Sequence, residues 1–381
     1  MVTLGDPFRA RPIGSRIPGW LRPWHVTLAV LLMYLISVLQ SAGWDPMALA
    51  RIGTRFDPGL PGGTMGYDGQ FSYQIAVSPT ESVLKLDVPA YRLQRILYPI
   101  LARLVALGNQ RAIPWSLLVV NMVAAVAGVA LTERIMRLNR QSRWWAVAYG
   151  MNVGMFMSIR LDLTEPLAFV LVQAGVLAWA LHRPKLSAAA FAAAALAKEV
   201  TVIILIGYLL VRFLRMGIRE GCLWGAIALG PFLLWQAILW TWVGRVGVGS
   251  GGALSTPFEF LPFRGLWGVA IYDFRGFLTL SLLIVPLVIF PAVAGLLIAA
   301  KSLVSGATAS AVALLLQAGI YLFLPMSNLV DPLAASRFGI GLICATLDFG
   351  ARAGWRRVLA YSQLWILTLV FLSGDRLLPS G

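Results

Sequence analysis

Apolar runs recur along the whole chain, and the polar residues between them are too few to clothe a surface facing water. Eleven such segments fall at roughly 24–41, 114–132, 144–159, 165–181, 186–198, 200–214, 221–243, 276–300, 307–324, 337–350 and 357–373. Of 381 residues, 59% are hydrophobic and only 12% charged, where a soluble domain carries roughly 25% charged. A chain of this kind takes lipid as its solvent, so the sequence predicts an all-α polytopic membrane protein with about 11 transmembrane helices. Several runs are shorter than the ~20 residues of a simple span. Short and broken helices are expected where a protein encloses a cavity at membrane depth. The first run lacks a small-residue cleavage pattern and reads as an anchor. No 20–50-residue repeat, soluble domain or long linker interrupts residues 1–381, which read as a single integral membrane domain. The Ala-rich stretch 188–195 reads as close helix packing.

The formal charge of +15 would suggest nucleic acid in a soluble protein. Here the basic residues sit between apolar runs and set the topology, so neither nucleic acid nor nucleotide is expected as a partner. With residues 1–23 inside, the inner loops hold Arg9, Arg11, Arg16, Arg22, Arg134, Arg137, Arg140, Arg143, Arg183, Lys185, Arg212, Arg215, Arg219, Lys301, Arg352, Arg356 and Arg357. They hold only four acids, Asp6, Glu133, Glu220 and Asp348. The other twelve acids fall outside, as the positive-inside rule requires. This predicts a cytoplasmic N-terminus, with the chemistry on the far side; for a bacterial chain the expected location is the inner membrane. Residues 91–107 are apolar but carry Arg92, Arg95, Arg103 and Pro99. Counted as a span they would invert everything downstream, so they read as an amphipathic helix on the outer surface. Two outer loops are long, 42–113 and 244–275, and long loops often bind or close over ligands.

Four places outside concentrate chemistry. Asp68 lies in Gly66-Tyr67-Asp68-Gly69-Gln70, after Pro61-Gly62-Gly63. Glycines permit a tight turn that presents one carboxylate, either as a general base or merely as a turn-forming residue. Arg160-Leu161-Asp162-Leu163-Thr164-Glu165-Pro166 sets three charges between two short helices. Asp162 and Glu165 would share a face if helical, with Thr164 as cap and Pro166 in the first turn. The plainer reading is a helix-cap hairpin with an internal salt bridge. Lys198-Glu199 falls at the tip of a hairpin between two apolar arms, either as a phosphate partner or as a snorkelling Lys paired with its neighbour. Arg337, after Asn328 and Asp331, suits bidentate contact with a phosphate. Arg95, Arg245, Arg264 and Arg275 are weaker candidates, and solvated or headgroup-facing arginines are the plainer reading of each. There is no Walker A sequence, HExxH or serine elbow. Cys222 and Cys344 imply no disulfide or metal site, and His25 and His182 read as interface residues. Nothing demands a metal or other cofactor.

Several of these segments, taken in order, resemble a known family. They are Tyr67-Asp68-Gly69-Gln70 with Phe71 to Ala76; Gln94-Arg95-Ile96-Leu97-Tyr98-Pro99-Ile100-Leu101; Asn121; Thr164-Glu165-Pro166; and Ala195-Leu196-Ala197-Lys198-Glu199. Over about the first 215 residues the chain resembles GT-C type membrane glycosyltransferases, in the bacterial mannosyltransferase-like branch similar to the second mannosyltransferase of GPI-anchor synthesis. Tyr67 stands where Trp is usual, and Lys198-Glu199 where Arg is common. The resemblance implies a polyprenyl-phosphate sugar as donor and a glycan, lipid or protein hydroxyl as acceptor. It implies inversion, with Asp68 as base in a substrate loop that includes Tyr67 and Gln70. It implies cations on the donor phosphate, for which Lys198, Arg337, Arg95 and Arg160 are candidates. Asp162, Glu165 and Glu199 would then orient the acceptor, or hold a divalent ion if one is used. A transporter or flippase of a lipid-linked or anionic substrate is the main alternative, and a non-catalytic scaffold is the other.

Overall fold

The computed structural model describes residues 18–56 and 63–372. The N-terminal charges Asp6, Arg9, Arg11 and Arg16, and the turn residues Pro61 and Gly62, lie outside them. The described residues form helices joined by short turns, with no strand among them. Among the described residues, five helices are long and apolar enough to cross a membrane: Pro23–Ser41, Gln110–Leu138, Ile218–Val243, Val285–Val304 and Leu333–Ala353. The expected count of about 11 is not confirmed among the described residues, where several apolar runs form shorter or broken helices. Glu165–Ala180, Pro184–Ala197 and Ala309–Phe323 fall below span length.

The break within 144–159 has a local cause. Residues Arg143–Ala146 form a 3₁₀ turn, Val147–Gly150 one helical turn, and a new helix starts at Val153. Asn152 caps that helix by accepting from the Met155 N–H at 3.0 Å, which satisfies one of the orphan donors of a helix start. Residues 91–107 likewise do not form one surface helix. They form Pro89–Leu93 and Leu97–Val105. Pro99 has no N–H to donate back to residue 95, so a continuous helix fails just before it. Leu97–Val105 packs on Gly69–Val77 and on Ile113–Leu138, leaving Leu104 and Leu107 exposed.

Pro332–Ala353 is the central post of the fold. Its span window is 83% buried, against 28% for Pro23–Ser41, so the other helices surround it while the outer ones keep apolar side chains such as Met33 and Ile36 uncovered. A soluble protein would not leave such residues bare in runs, whereas a helix against lipid does. Asp331 starts the post by accepting from the Leu333 N–H at 2.9 Å, and Pro332 occupies the first turn. The post meets Val153–Arg160 at close range because Gly154 has no side chain. A Cβ there would run into the backbone of Ser336 and Arg337. Gly154→Ala is therefore expected to push the first turn of the post outward and displace Arg337. A tenfold or larger fall in any activity that needs Arg337, with the helical content unchanged by circular dichroism, is the expected result.

Far from the first turns of the post, two acids are clamped by cations. Glu133, near the end of Ile113–Leu138, pairs with Arg22 at 2.6 Å. Asp348 pairs with Arg352 at 2.7 Å and accepts from the Tyr208 hydroxyl at 2.6 Å.

Candidate functional site

At the other end of the post, segments remote in sequence converge on Asp68. Gly69–Val77 begins directly after it, on a turn where Gly66 has φ +64°. Gly69 itself is pressed against the backbone carbonyl of Leu161, so only glycine fits there. The turn is pinned from inside by Gln70, whose amide donates to Met65 O at 2.9 Å and accepts from the Gly53 N–H at 3.0 Å. Gln70 thus holds the loop and does not line the cleft.

Asp68 lies between two guanidinium groups. Arg92 Nη1 reaches one carboxylate oxygen at 2.9 Å and Arg337 Nη1 the other at 3.1 Å. Each guanidinium has a second acid. Arg92 grips Asp87 through Nε at 2.7 Å and Nη2 at 2.8 Å, with its Cζ 4.1 Å from the centroid of the Phe71 ring. Arg337 Nε donates to Glu165 at 2.6 Å, and the same Glu165 oxygen takes Lys198 Nζ at 2.7 Å. Tyr67 completes the group, accepting from Arg337 Nη1 and donating to Asp331, both at 3.2 Å. A neighbouring pair joins Arg95 to Glu199 through two bonds of 2.5 and 2.8 Å, with Tyr91 accepting from Arg95 at 2.7 Å. A small cleft opens among Asp68, Ser72, Arg92, Arg95, Thr164 and Arg337.

The structure therefore brings together Tyr67, Asp68, Glu165, Lys198 and Arg337, with Arg95 and Glu199 alongside. It does so through partners other than neighbours in sequence. Lys198 does not pair with Glu199. Its backbone is extended, with φ −160° and ψ 123°, so the two side chains part and Lys198 crosses to Glu165. Thr164 makes no capping bond, although Pro166 does sit in the first turn. Asp162 is not on a shared helical face with Glu165. It precedes that helix with φ +50°, is fully buried, and neither of its carboxylate oxygens has a hydrogen-bond partner among the described residues. Arg160, in the last turn of Val153–Arg160, does not line the cleft. Among the described residues, no three His, Cys, Asp or Glu side chains gather as metal ligands.

Arg92 and Asp87 are the site residues that sequence reasoning passed over. Arg92 was absorbed into the surface face of 91–107, yet it is buried. The usable signal was its pairing with Asp87 five residues earlier, in a segment otherwise rich in apolar residues.

Burial alone would raise the Asp68 carboxyl, but Arg92, Arg337 and Arg95 outweigh it and hold it well below the usual carboxylate range. Asp87 is lowered in the same way by Arg92 and by the Ala253 N–H. Burial pushes the Tyr67 phenol up, so it stays neutral and donates. Both acids have folded values below their ordinary ones. Their ion pairs thus contribute stability that is complete above about pH 4, the ordinary range, and is lost as pH falls through the folded values. Melting temperature is expected to be flat from pH 5 to 8 and to fall below about pH 4, measured by thermal scans in detergent. A transition near pH 6 would contradict the arrangement.

A second pocket is apolar. It lies between Val153–Arg160, the post, the π-helical turn Val285–Ile289 and Gln363–Leu372. The buried cluster of Val153, Met157, Leu161, Leu163 and Leu333 contributes Val153 to this pocket and Leu163 to the Asp68 cleft. No family model, curated protein or solved structure matches the chain.

Proposed function

We propose that the protein is a GT-C type glycosyltransferase of the bacterial inner membrane. On this reading it moves a sugar from a polyprenyl-phosphate donor to a hydroxyl of a lipid, glycan or protein, on the non-cytoplasmic side, with inversion. The observation that carries it is the gathering of one partly exposed carboxylate, Asp68, with fixed guanidinium groups in a single cleft. A transferase of this kind needs a base for the incoming hydroxyl and cations for the phosphate that leaves. Asp68 is ionised, as a base must be, with each of its oxygens held by a guanidinium until substrate arrives. Arg92, Arg95 and Arg337 line the cleft and are set to take the developing phosphate charge, with Lys198 behind them on Glu165 and the neutral Tyr67 hydroxyl bonded to Arg337. The apolar pocket lined by Ser336, the neighbour of Arg337 on the post, suits the hydrocarbon of the donor. The positive charges between apolar runs support the orientation.

In the step itself, Asp68 takes the acceptor proton as its oxygen bonds to the anomeric carbon. The bond from that carbon to the phosphate oxygen breaks, and polyprenyl phosphate departs. Buried, pre-oriented cations lower the barrier because they need no reorganisation as charge develops. The test offers purified protein in nanodiscs a panel of polyprenyl-phosphate sugars with a lipid extract as acceptor. Release of free polyprenyl phosphate from one of them is expected. Intact donors throughout would count against the reading.

A transporter is the second reading. The unpartnered, buried Asp162 between two short helices favours it, since carboxylates at membrane depth are costly and often serve ion or substrate pathways.

A further inference from the structure

Asp68 is held differently from the acids around it. Arg92 already shares two bonds with Asp87, and Arg337 already donates through Nε to Glu165. Each spends only its Nη1 on Asp68. The side chains of Asp87 and Glu165 are 4% and 0% exposed, whereas that of Asp68 is 30% exposed and lines the cleft. Removing Asp68 from this pair would leave both guanidiniums with an anion, and leave two N–H groups pointing at one spot. An anion with two oxygens could take the place of the carboxylate without stranding any buried charge.

From this we propose that Asp68 occupies an anion site formed by Nη1 of Arg92 and Nη1 of Arg337, and that a substrate phosphate displaces it. The ligand class is a phosphate ester, carried by a lipid or free. Displacement has a consequence for the base. Between two guanidiniums, a carboxylate is too stabilised to take a proton well; pushed into the cleft, it regains basicity. Phosphate binding would thus switch on the base only when a donor is in place. This consequence rests on the transferase reading, but the anion site itself does not.

The test is direct binding, with no chemistry required. Full-length protein in nanodiscs is titrated with inorganic phosphate and, separately, with farnesyl phosphate, using wild type, Asp68→Asn and Asp68→Ser. Loss of the competing carboxylate is expected to tighten binding about tenfold or more, and the gain should vanish in the double variant Asp68→Asn, Arg92→Gln. A gain for farnesyl phosphate alone supports the site with a lipid as the source. An equal gain for both probes supports it with free phosphate as the source. Unchanged or weaker binding in both Asp68 variants, no binding by any of the proteins, or a gain that survives Arg92→Gln would overturn the proposal. Tightening in Asp68→Asn, together with no sugar transfer by wild type, would keep the anion site and discard the transferase.

Discussion

Asp68→Asn is expected to cut acceptor-dependent sugar transfer by about 10²–10⁴-fold, the usual contribution of a positioned general base, while the protein stays folded. The stability cost should be small, about 1 kcal/mol, because Arg92 keeps Asp87 and Arg337 keeps Glu165. An amide in the same place can still accept from one guanidinium but cannot take a proton from a hydroxyl. The rate should be read under donor saturation, because the same change is expected to tighten donor binding and would mask part of the loss at low donor. A variant that folds, binds phosphate and retains most of its turnover would remove Asp68 from the role of base.

Glu165→Gln should do the reverse, acting chiefly on stability. Glu165 is fully buried and one of its oxygens takes both Arg337 and Lys198. Neutralising it leaves two buried cations with one carboxylate fewer. Breaking a buried pair in this way costs about 3–5 kcal/mol. Arg337 would keep its bond to Asp68, but Lys198 would lose the acid it is ion-paired with. Thermal unfolding in detergent should therefore fall well below that of Asp68→Asn measured side by side. Equal melting points for the two variants would mean that Glu165 is not the anchor of the cation cluster.

Much of this arrangement could be read from the chain, in two unequal parts. Long uninterrupted apolar runs with clear ends were legible. The expected segments 24–41 and 221–243 correspond to Pro23–Ser41 and Ile218–Val243, because Pro23 and the glycines Gly43 and Gly244 mark their boundaries. Breaks inside apolar runs were not legible. Asn152 caps a helix in the middle of 144–159, and the run stays hydrophobic on both sides of the break, so hydropathy carries no sign of it. Residues 276–300 contain a π-helical turn at Val285–Ile289, which pattern alone does not reveal either.

The site residues divide along the same line. Asp68, Glu165, Lys198 and Arg337 stood out because charges beside apolar helices are expensive to keep. Their pairing did not, because it depends on where the chain returns. Glu165 and Arg337 are 172 positions apart and bonded, whereas Lys198 and Glu199 are adjacent and paired elsewhere. Local spacing reaches three or four residues along a helix, and these contacts are tertiary.

The central claim is that the bond between sugar and phosphate breaks in the Asp68 cleft. It is tested most directly with a polyprenyl-phosphate sugar labelled separately in the sugar and in the phosphate, supplied to sealed proteoliposomes of wild type and Asp68→Asn. Wild type should part the two labels, with sugar in a new product and phosphate on free polyprenol, and Asp68→Asn should leave them joined. Labels that stay together while the lipid crosses the bilayer, in both proteins, would contradict the account and favour a transporter.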